Sequence, residues 1–508
     1  MAENVFLFNL DAWPRDAPEP AGPPAPTNFW NTALRTTRRT IFIEYSWTLL
    51  VLCAFVLGVL SIYWGALFRI KQNLKHATIA VVDFDGQLAP YNSIEPSVGP
   101  FVVQEIRRAA TLQHALGYKI HDPADYDFDT LAVRQAVHHE DVWGAIVINP
   151  NATALLRQAV EQGNTSYDPT GACQIIYNQA RDIESFNQYV IPTLTRLGTD
   201  ISYSFATNWT TSVLTNNSLL TSTYATTPQA LSPGIAFTIY DLRPFDPPVA
   251  IPAVSIGLIY LIIIAFFSFS FFMPIHSLFL NPAAPQPHPP LRFTHLILWR
   301  YIATTTAYFF LSLAYSLVSL AFQIPFSNTP PAGQSSFPTD APINNANLVG
   351  HATFPVYWLL NFLGMGALGL PLEVAAMLLP NRKPWVSLFL IFWVITNVST
   401  GFYALELAPT FYAWGYGCPL RQIVYASRSL LFGTRSQLGL NFGVLVAWIV
   451  GATVVWVPSC FVMKRRVAKQ KQREAGIAPA GRDGGKVKKV VTDHAKKLNA
   501  RVPKAPKM

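Results

Sequence analysis

The stretch SWTLLVLCAFVLGVLSIYWGAL, Ser46–Leu67, runs for 22 residues without a charge. A helix of that length crosses the roughly 30 Å hydrocarbon layer of a bilayer. Comparable runs follow at Val249–Met273, Tyr301–Phe322, Phe354–Leu379, Val386–Leu405 and Phe442–Met463, and within them only Glu373 carries a charge. The chain is 508 residues long, 51% apolar and 13% charged, against about 25% charged in soluble domains. Runs of this length and number exclude a soluble globular protein and predict a polytopic α-helical membrane protein with six transmembrane helices. The first run starts 45 residues into the chain with no small-residue cleavage signal after it, so it reads as a signal anchor.

The spans divide the chain. Residues 1–45 form a cytoplasmic tail rich in proline (Pro18, Pro20, Pro23, Pro24, Pro26). Transmembrane helix 1 covers 46–67, an α/β ectodomain covers 68–248, a five-helix membrane domain covers 249–463, and a basic tail covers 464–508. That last tail holds 15 Lys or Arg against Glu474, Asp483 and Asp493. Arg292 and Arg300 flank the second-to-third connection, and Arg382 and Lys383 the fourth-to-fifth turn. Basic residues near membrane ends favour the cytoplasm, so both termini are expected there. The segment between the first two spans carries the sequons of Asn151, Asn164, Asn208 and Asn216, which are acceptors only on the lumenal or extracellular face. Asn397-Val-Ser also matches but lies within the fifth span and is expected to stay bare. The chain therefore reads as a glycoprotein of a eukaryotic secretory pathway.

Within residues 77–248, 17 acidic residues stand against eight basic ones. Strand-like runs at Thr78–Val82, Trp143–Ile148 and Cys173–Tyr177 alternate with helical periodicity at Phe101–Leu116, Thr130–Glu140, Ala152–Gln162 and from Ile183 onward. Asp129 is placed to cap the second of these helices. The alternation predicts a small, largely parallel sheet in an α/β domain.

The first strand runs into Asp83-Phe84-Asp85-Gly86, the opening of phosphatases that attack phosphorus with one Asp and use a second as acid and base. That chemistry needs a second strand ending in Ser or Thr, and a lysine and an acidic pair further on. The later strands end instead in Asn149-Pro150 and Asn178, and Lys119 is the one lysine between 77 and 248. Asp127 and Asp129 precede the second strand. An Asp-x-Asp-Gly strand exit is an ordinary turn, and the chain is expected to be non-enzymatic. His138–Asp141 (HHED) has poor ligand spacing and reads as a polar helix end, so no metal is expected. Gly481–Lys489 (GRDGGKVKK) lacks the spacing of a phosphate loop. No cofactor and no nucleic-acid partner are expected.

Three features in and beside the spans merit functional hypotheses. Glu373 is an intramembrane carboxylate, on one helical stripe with Gly366 and Gly369, small residues that let a neighbouring helix approach. A side chain reaching the cytoplasmic interface near Arg382 and Lys383 is the plainer alternative. Arg421, Arg428 and Arg435 recur every seven residues before the last span and suggest an interfacial or re-entrant helix, either simply seated in the membrane or binding headgroups. Cys173 and Cys418 are the two cysteines expected outside the bilayer and are candidates for a disulfide.

The whole arrangement resembles the fungal nitrosoguanidine-resistance membrane family. The residues that carry the likeness are IAVVDFDG, VWGAIVINPNAT, the closing segment Asn397–Gly433 and the order of the spans, over about residues 40–463. More distantly it is similar to the membrane domains of ABC-type exporters and to bacterial phage-infection proteins. The resemblance implies drug tolerance at the plasma membrane, by export of toxic compounds or through lipid distribution. The expected partners are the lipid bilayer, a small-molecule or lipid substrate and a second copy of the chain. A scaffold or receptor whose ectodomain binds a partner is the alternative.

Overall fold

The computed structural model describes residues 27–215, 226–280, 289, 291–328, 347–379 and 385–474. Most of both tails, Asn216, Arg382, Lys383 and Gly481–Lys489 lie outside the described residues. The chain divides into two units, Met1–Leu60 and Ser61–Met508. In the first, helix α1 (Arg35–Phe55) runs into a π turn at Val56–Leu60, and none of these helical residues is buried.

The second unit opens with the α/β domain. Its sheet has five strands: β1 (Thr78–Asp83), β2 (Gly117–His121), β3 (Gly144–Ile148), β4 (Cys173–Tyr177) and β5 (Phe237–Asp241). Their order is β2-β1-β3-β4-β5. β1 pairs in parallel with β2 and β3, β3 pairs antiparallel with β4, and β4 pairs in parallel with β5. The sheet is thus largely parallel with one antiparallel step. The three expected strands are the central ones, and the two missed are the edges. β3 and β4 are buried throughout, which is why they read as unbroken apolar runs. One face of the sheet (Ile79, Val81, Ile146, Ile175) packs on helices α2 (Val98–Ala110), α4 (Ala152–Gln162) and α5 (Ile191–Thr215). The other face (Ala80, Val82, Ala145, Val147) is covered by Val133 and Val137 of α3 (Thr130–His138). Asp129 caps α3 as expected, accepting from Leu131 N at 2.8 Å.

The Asp83–Asp85 turn holds this domain together. Asp85 is 1% exposed. Its Oδ2 accepts from Gly99 N at 3.0 Å and from the Thr153 hydroxyl at 2.5 Å, and its Oδ1 from Thr153 N at 3.0 Å. Thr153 Oγ1 in turn accepts from Ser97 N and Val98 N at 2.9 and 3.0 Å. The first N–H groups of α2 and α4 have no partners within their helices, and one carboxylate and one hydroxyl supply them. A negative charge at two helix N-termini is also favoured by the peptide dipoles. Gly99 is required here, because a Cβ would lie 2.1 Å from Asp83 Oδ1. Asp83 Oδ1 accepts from Asp85 N at 3.0 Å, and burial pushes its carboxyl up to about 6.

Among the described residues five helices are long and apolar enough to span a bilayer: Thr32–His76, Pro248–Ser277, Phe293–Ala321, Gly350–Leu378 and Leu438–Arg466. The chain is a multi-pass helical membrane protein. The fifth expected span, Val386–Leu405, differs: it is the shorter apolar helix Trp385–Gly401, because the chain leaves the helix at Gly401 for turns. We label the helices of this bundle α6 (Ile259–Ser277), α7 (Phe293–Ala321), α8 (Thr353–Leu378), α9 (Trp385–Gly401), α10 (Pro419–Phe432) and α11 (Leu438–Glu474). α8 is the centre. A Cβ on its Gly364 would lie 2.5 Å from Ile423 of α10, and one on Gly366 would lie 3.2 Å from Ile449 of α11. At Gly369 it would lie 2.4 Å from the Tyr308 hydroxyl of α7. The small-residue stripe does what small residues do in membranes: it lets neighbours close in.

Replacing Asp85 by Ala strands three buried donors at about 1–3 kcal/mol each. Asp83→Asn disturbs a single bond. Urea unfolding of the purified full-length protein is expected to rank Asp85→Ala far below Asp83→Asn in stability. Equal effects would refute the anchoring role.

Candidate functional site

The cluster of charge inside the bundle forms around Glu373, 2% exposed in α8. Its carboxylate is enclosed by the bundle. Arg300 of α7 approaches Glu373 Oε2 at 3.9 Å, and Trp456 Nε1 of α11 donates to the same oxygen at 3.2 Å. The Tyr308 hydroxyl donates to Oε1 at 3.4 Å. Gly369, one turn before Glu373, makes room for that Tyr308 ring. Arg300 is 8% exposed. Its guanidinium lies 5.5 Å from the Trp456 ring centre and 5.7 Å from that of Phe269, and its Nη1 faces Met377 Sδ at 3.8 Å. Four helices, α6, α7, α8 and α11, therefore contribute to one buried ion pair.

The sequence places Arg300 as flanking the second-to-third connection, since the apolar run starts at Tyr301. The helix starts earlier, at Phe293, and carries Arg300 inside. The signal is in the spacing: Arg300, Thr304 and Tyr308 recur every four residues and share a helix face, and Arg300 and Tyr308 both meet Glu373. Ionisable groups inside a membrane are costly and mark substrate, ion or proton pathways by default. Breaking such a pair leaves one charge buried without compensation.

An apolar cleft of about 460 Å³ runs between α8 and α11, lined by Pro371, Val374, Val444, Trp448, Gly451 and Val455 among others. Volumes of about 300–1,000 Å³ suit small-molecule ligands. Val374 follows Glu373 and Val455 precedes Trp456, so the cleft wall and the ion pair share two stretches of backbone. Pro371 interrupts α8 here, and Gly451 has open space where a side chain would stand.

The other expected site residues are placed differently. α10 is not laid on the protein's surface: all of its residues but Tyr425 are buried, because it packs beneath the α/β domain among α8, α9 and α11. It ends at Gly433, whose φ is +61°, so Arg435 lies beyond the helix and pairs with Asp141 at 3.8 Å. His138 Nε2 and Arg243 Nε both donate to Gly433 O, at 2.9 and 3.2 Å. Burial holds His138 down at about 4, so the ring is neutral. Glu140 faces Arg181 at 3.8 Å. His138 and Asp141 thus join the domain to the segment that closes α10. Cys173 and Cys418 are both free and buried. The expected disulfide is not formed, because Cys173 is enclosed within the domain core while Cys418 caps α10.

Asn164 and Asn208 are exposed. Asn151 is half-buried, and its sequon threonine is the sealed Thr153. Asn397 is fully buried, donating to Trp393 O at 2.9 Å and accepting from Leu420 N at 3.2 Å.

A double-mutant cycle tests the ion pair. Glu373→Gln and Arg300→Met are each expected to destabilise the protein by about 3–5 kcal/mol, and the double variant by less than their sum. Thermal unfolding in detergent measures the coupling, and additive losses would show that the two charges do not sense each other.

A Saccharomyces cerevisiae protein described as an uncharacterized endoplasmic reticulum membrane protein is 25% identical to this chain over 488 residues, 91% of this chain and 88% of its own length. No solved structure matches. One family model, described as a protein of unknown function (DUF3533), matches residues 48–454. That match takes in the α/β domain, the Arg300–Glu373 pair and α10, and the chain belongs to the DUF3533 family of multi-pass membrane proteins.

Proposed function

We propose that this protein is a non-enzymatic membrane protein that moves toxic amphiphiles or lipids within or across the bilayer and so confers tolerance to them. The observation that carries the reading is the buried Arg300–Glu373 pair beside an apolar cleft open along α8 and α11. A cleft lined by Val, Ala and Trp accepts the apolar part of an amphiphile, and a charge pair within reach of the same backbone can respond to its polar part. The likeness to the nitrosoguanidine-resistance family supports tolerance as the outcome. The description of the yeast relative favours the endoplasmic reticulum over the plasma membrane as the site of action. With both termini cytoplasmic, the α/β domain lies in the lumen.

Glu373→Gln keeps the side chain's shape and removes its charge. At normal abundance it is expected to lower survival on toxin at least tenfold and to slow flux of a fluorescent lipid in proteoliposomes. Asp83→Asn is expected to leave both nearly unchanged. Unaltered flux and survival in Glu373→Gln would favour a scaffold or receptor working through the α/β domain.

Asn164→Gln and Asn208→Gln should each remove one glycan step on a gel, and the glycans of the unmutated protein should stay sensitive to endoglycosidase H, as in the endoplasmic reticulum. A protein whose mobility no glycosidase alters would refute a lumenal domain.

A further inference from the structure

The seam between α10 and the turn at residues 178–182 is short of hydrogen bonds. Most of the buried side-chain nitrogens and oxygens without a partner among the described residues belong to these two segments: Arg421 Nη1, Ser427 Oγ, Arg428 Nε and Nη2, both amide atoms of Asn178, and Asp182 Oδ2. Buried polar groups are otherwise nearly always paired, and each exception calls for an explanation. Arg421 is 6% exposed and Arg428 2%. Both guanidinium groups lie over the ring of Tyr425, at 4.1 and 5.5 Å, because residues seven apart return to one helix face. Arg428 crosses the seam through one hydrogen bond to Arg181 O, at 2.7 Å, and a 4.0 Å ion pair with Asp182.

The unmade bonds are unequal in kind. Two guanidinium groups and an amide NH₂ offer donors, the Ser427 hydroxyl can do either, and the acceptors without a hydrogen bond are Asp182 Oδ2, which has only the long ion pair, and Asn178 Oδ1. Arg181 is already engaged with Glu140. Burial pushes Asp182's carboxyl up, which weakens the counter-charge it gives Arg428. Glu406 also lies within electrostatic reach of Arg421 and Asp182, so the seam carries charge of both signs, and what it leaves unmade on the side of the bundle that carries the α/β domain are guanidinium N–H donors. Planar guanidinium forks match the oxygens of phosphate.

We propose that this seam binds a phosphate-bearing anion, with Arg421 and Arg428 as its fork and the headgroup of a bilayer phospholipid as its source. The anion displaces the long contact between Arg428 and Asp182 and takes up donors that the chain leaves unmade. α10 is positioned for this. It packs against α8 through Ile423 and against α11 through the Gln422–Asn441 hydrogen bond of 2.8 Å. A headgroup held here therefore touches the element that links the α/β domain to the helices around the cleft. The inference does not depend on transport, since binding is read without flux.

The test uses purified full-length protein in detergent, titrated with short-chain phosphatidic acid, with diacylglycerol of the same chains and with inorganic phosphate. Phosphatidic acid is expected to raise the unfolding temperature and diacylglycerol to leave it unchanged. Arg428→Lys keeps the charge opposite Asp182 and Arg421→Lys keeps it beside Tyr425, so both keep the fold but lose the fork. Each is expected to bind phosphatidic acid about tenfold more weakly. Inorganic phosphate binding as tightly as the lipid upholds the phosphate chemistry and moves its source from lipid to soluble anion. Equal binding of diacylglycerol, or unaltered affinity in both lysine variants with native circular dichroism, overturns the proposal.

Discussion

A carboxylate taken out of water has to find its partners on neighbouring elements, and this chain meets that constraint in both its polar and its apolar half. In the α/β domain Asp85 solves it with two helix N-termini and a threonine hydroxyl. In the bundle Glu373 solves it with an arginine, an indole N–H and a phenol. The geometry around each follows from that need. Gly99 and Gly369 each lack a side chain where one would collide with a carboxylate of the turn or with its phenol partner. The two sites differ in what remains free. Asp85 is saturated by short bonds and acts as an anchor, whereas Glu373 is held by long contacts and has an apolar cleft for a neighbour.

Where periodicity was strong, the sequence was sufficient. Ala152–Gln162 and Cys173–Tyr177 are found with the boundaries their patterns suggest, because an amphipathic helix and a doubly buried strand each leave an unambiguous pattern. The edge strands were not legible. Gly117–His121 contains Lys119 and is half-exposed, and Phe237–Asp241 has the same mixed character, so neither shows the apolar run of a central strand. The intramembrane site was half legible. Glu373 stood out as a charge within an apolar run, but its partner Arg300 lay just outside the hydropathy boundary and inside the actual helix.

α10 shows what pattern reading leaves open. Its arginines suggest an interfacial or re-entrant helix, and arginine in a short helix between spans usually meets lipid headgroups or water. Instead the helix is enclosed, and its charges face tyrosine rings, a backbone carbonyl and Asp182. Composition alone does not distinguish a charge at an interface from one stacked on aromatic rings inside. What separates them is the tertiary company of Tyr416, Tyr425 and the 178–182 turn, which is remote in sequence.

Thr153 carries two assignments at one atom. Its hydroxyl completes the Asn-x-Thr pattern of Asn151, and in the folded domain the same hydroxyl is bonded to Asp85 and sealed from solvent. An enzyme that reads the pattern through that hydroxyl would have to do so before the turn after β1 and the two helix starts close on it. The surroundings of Asn164 and Asn208 stay open in the folded domain.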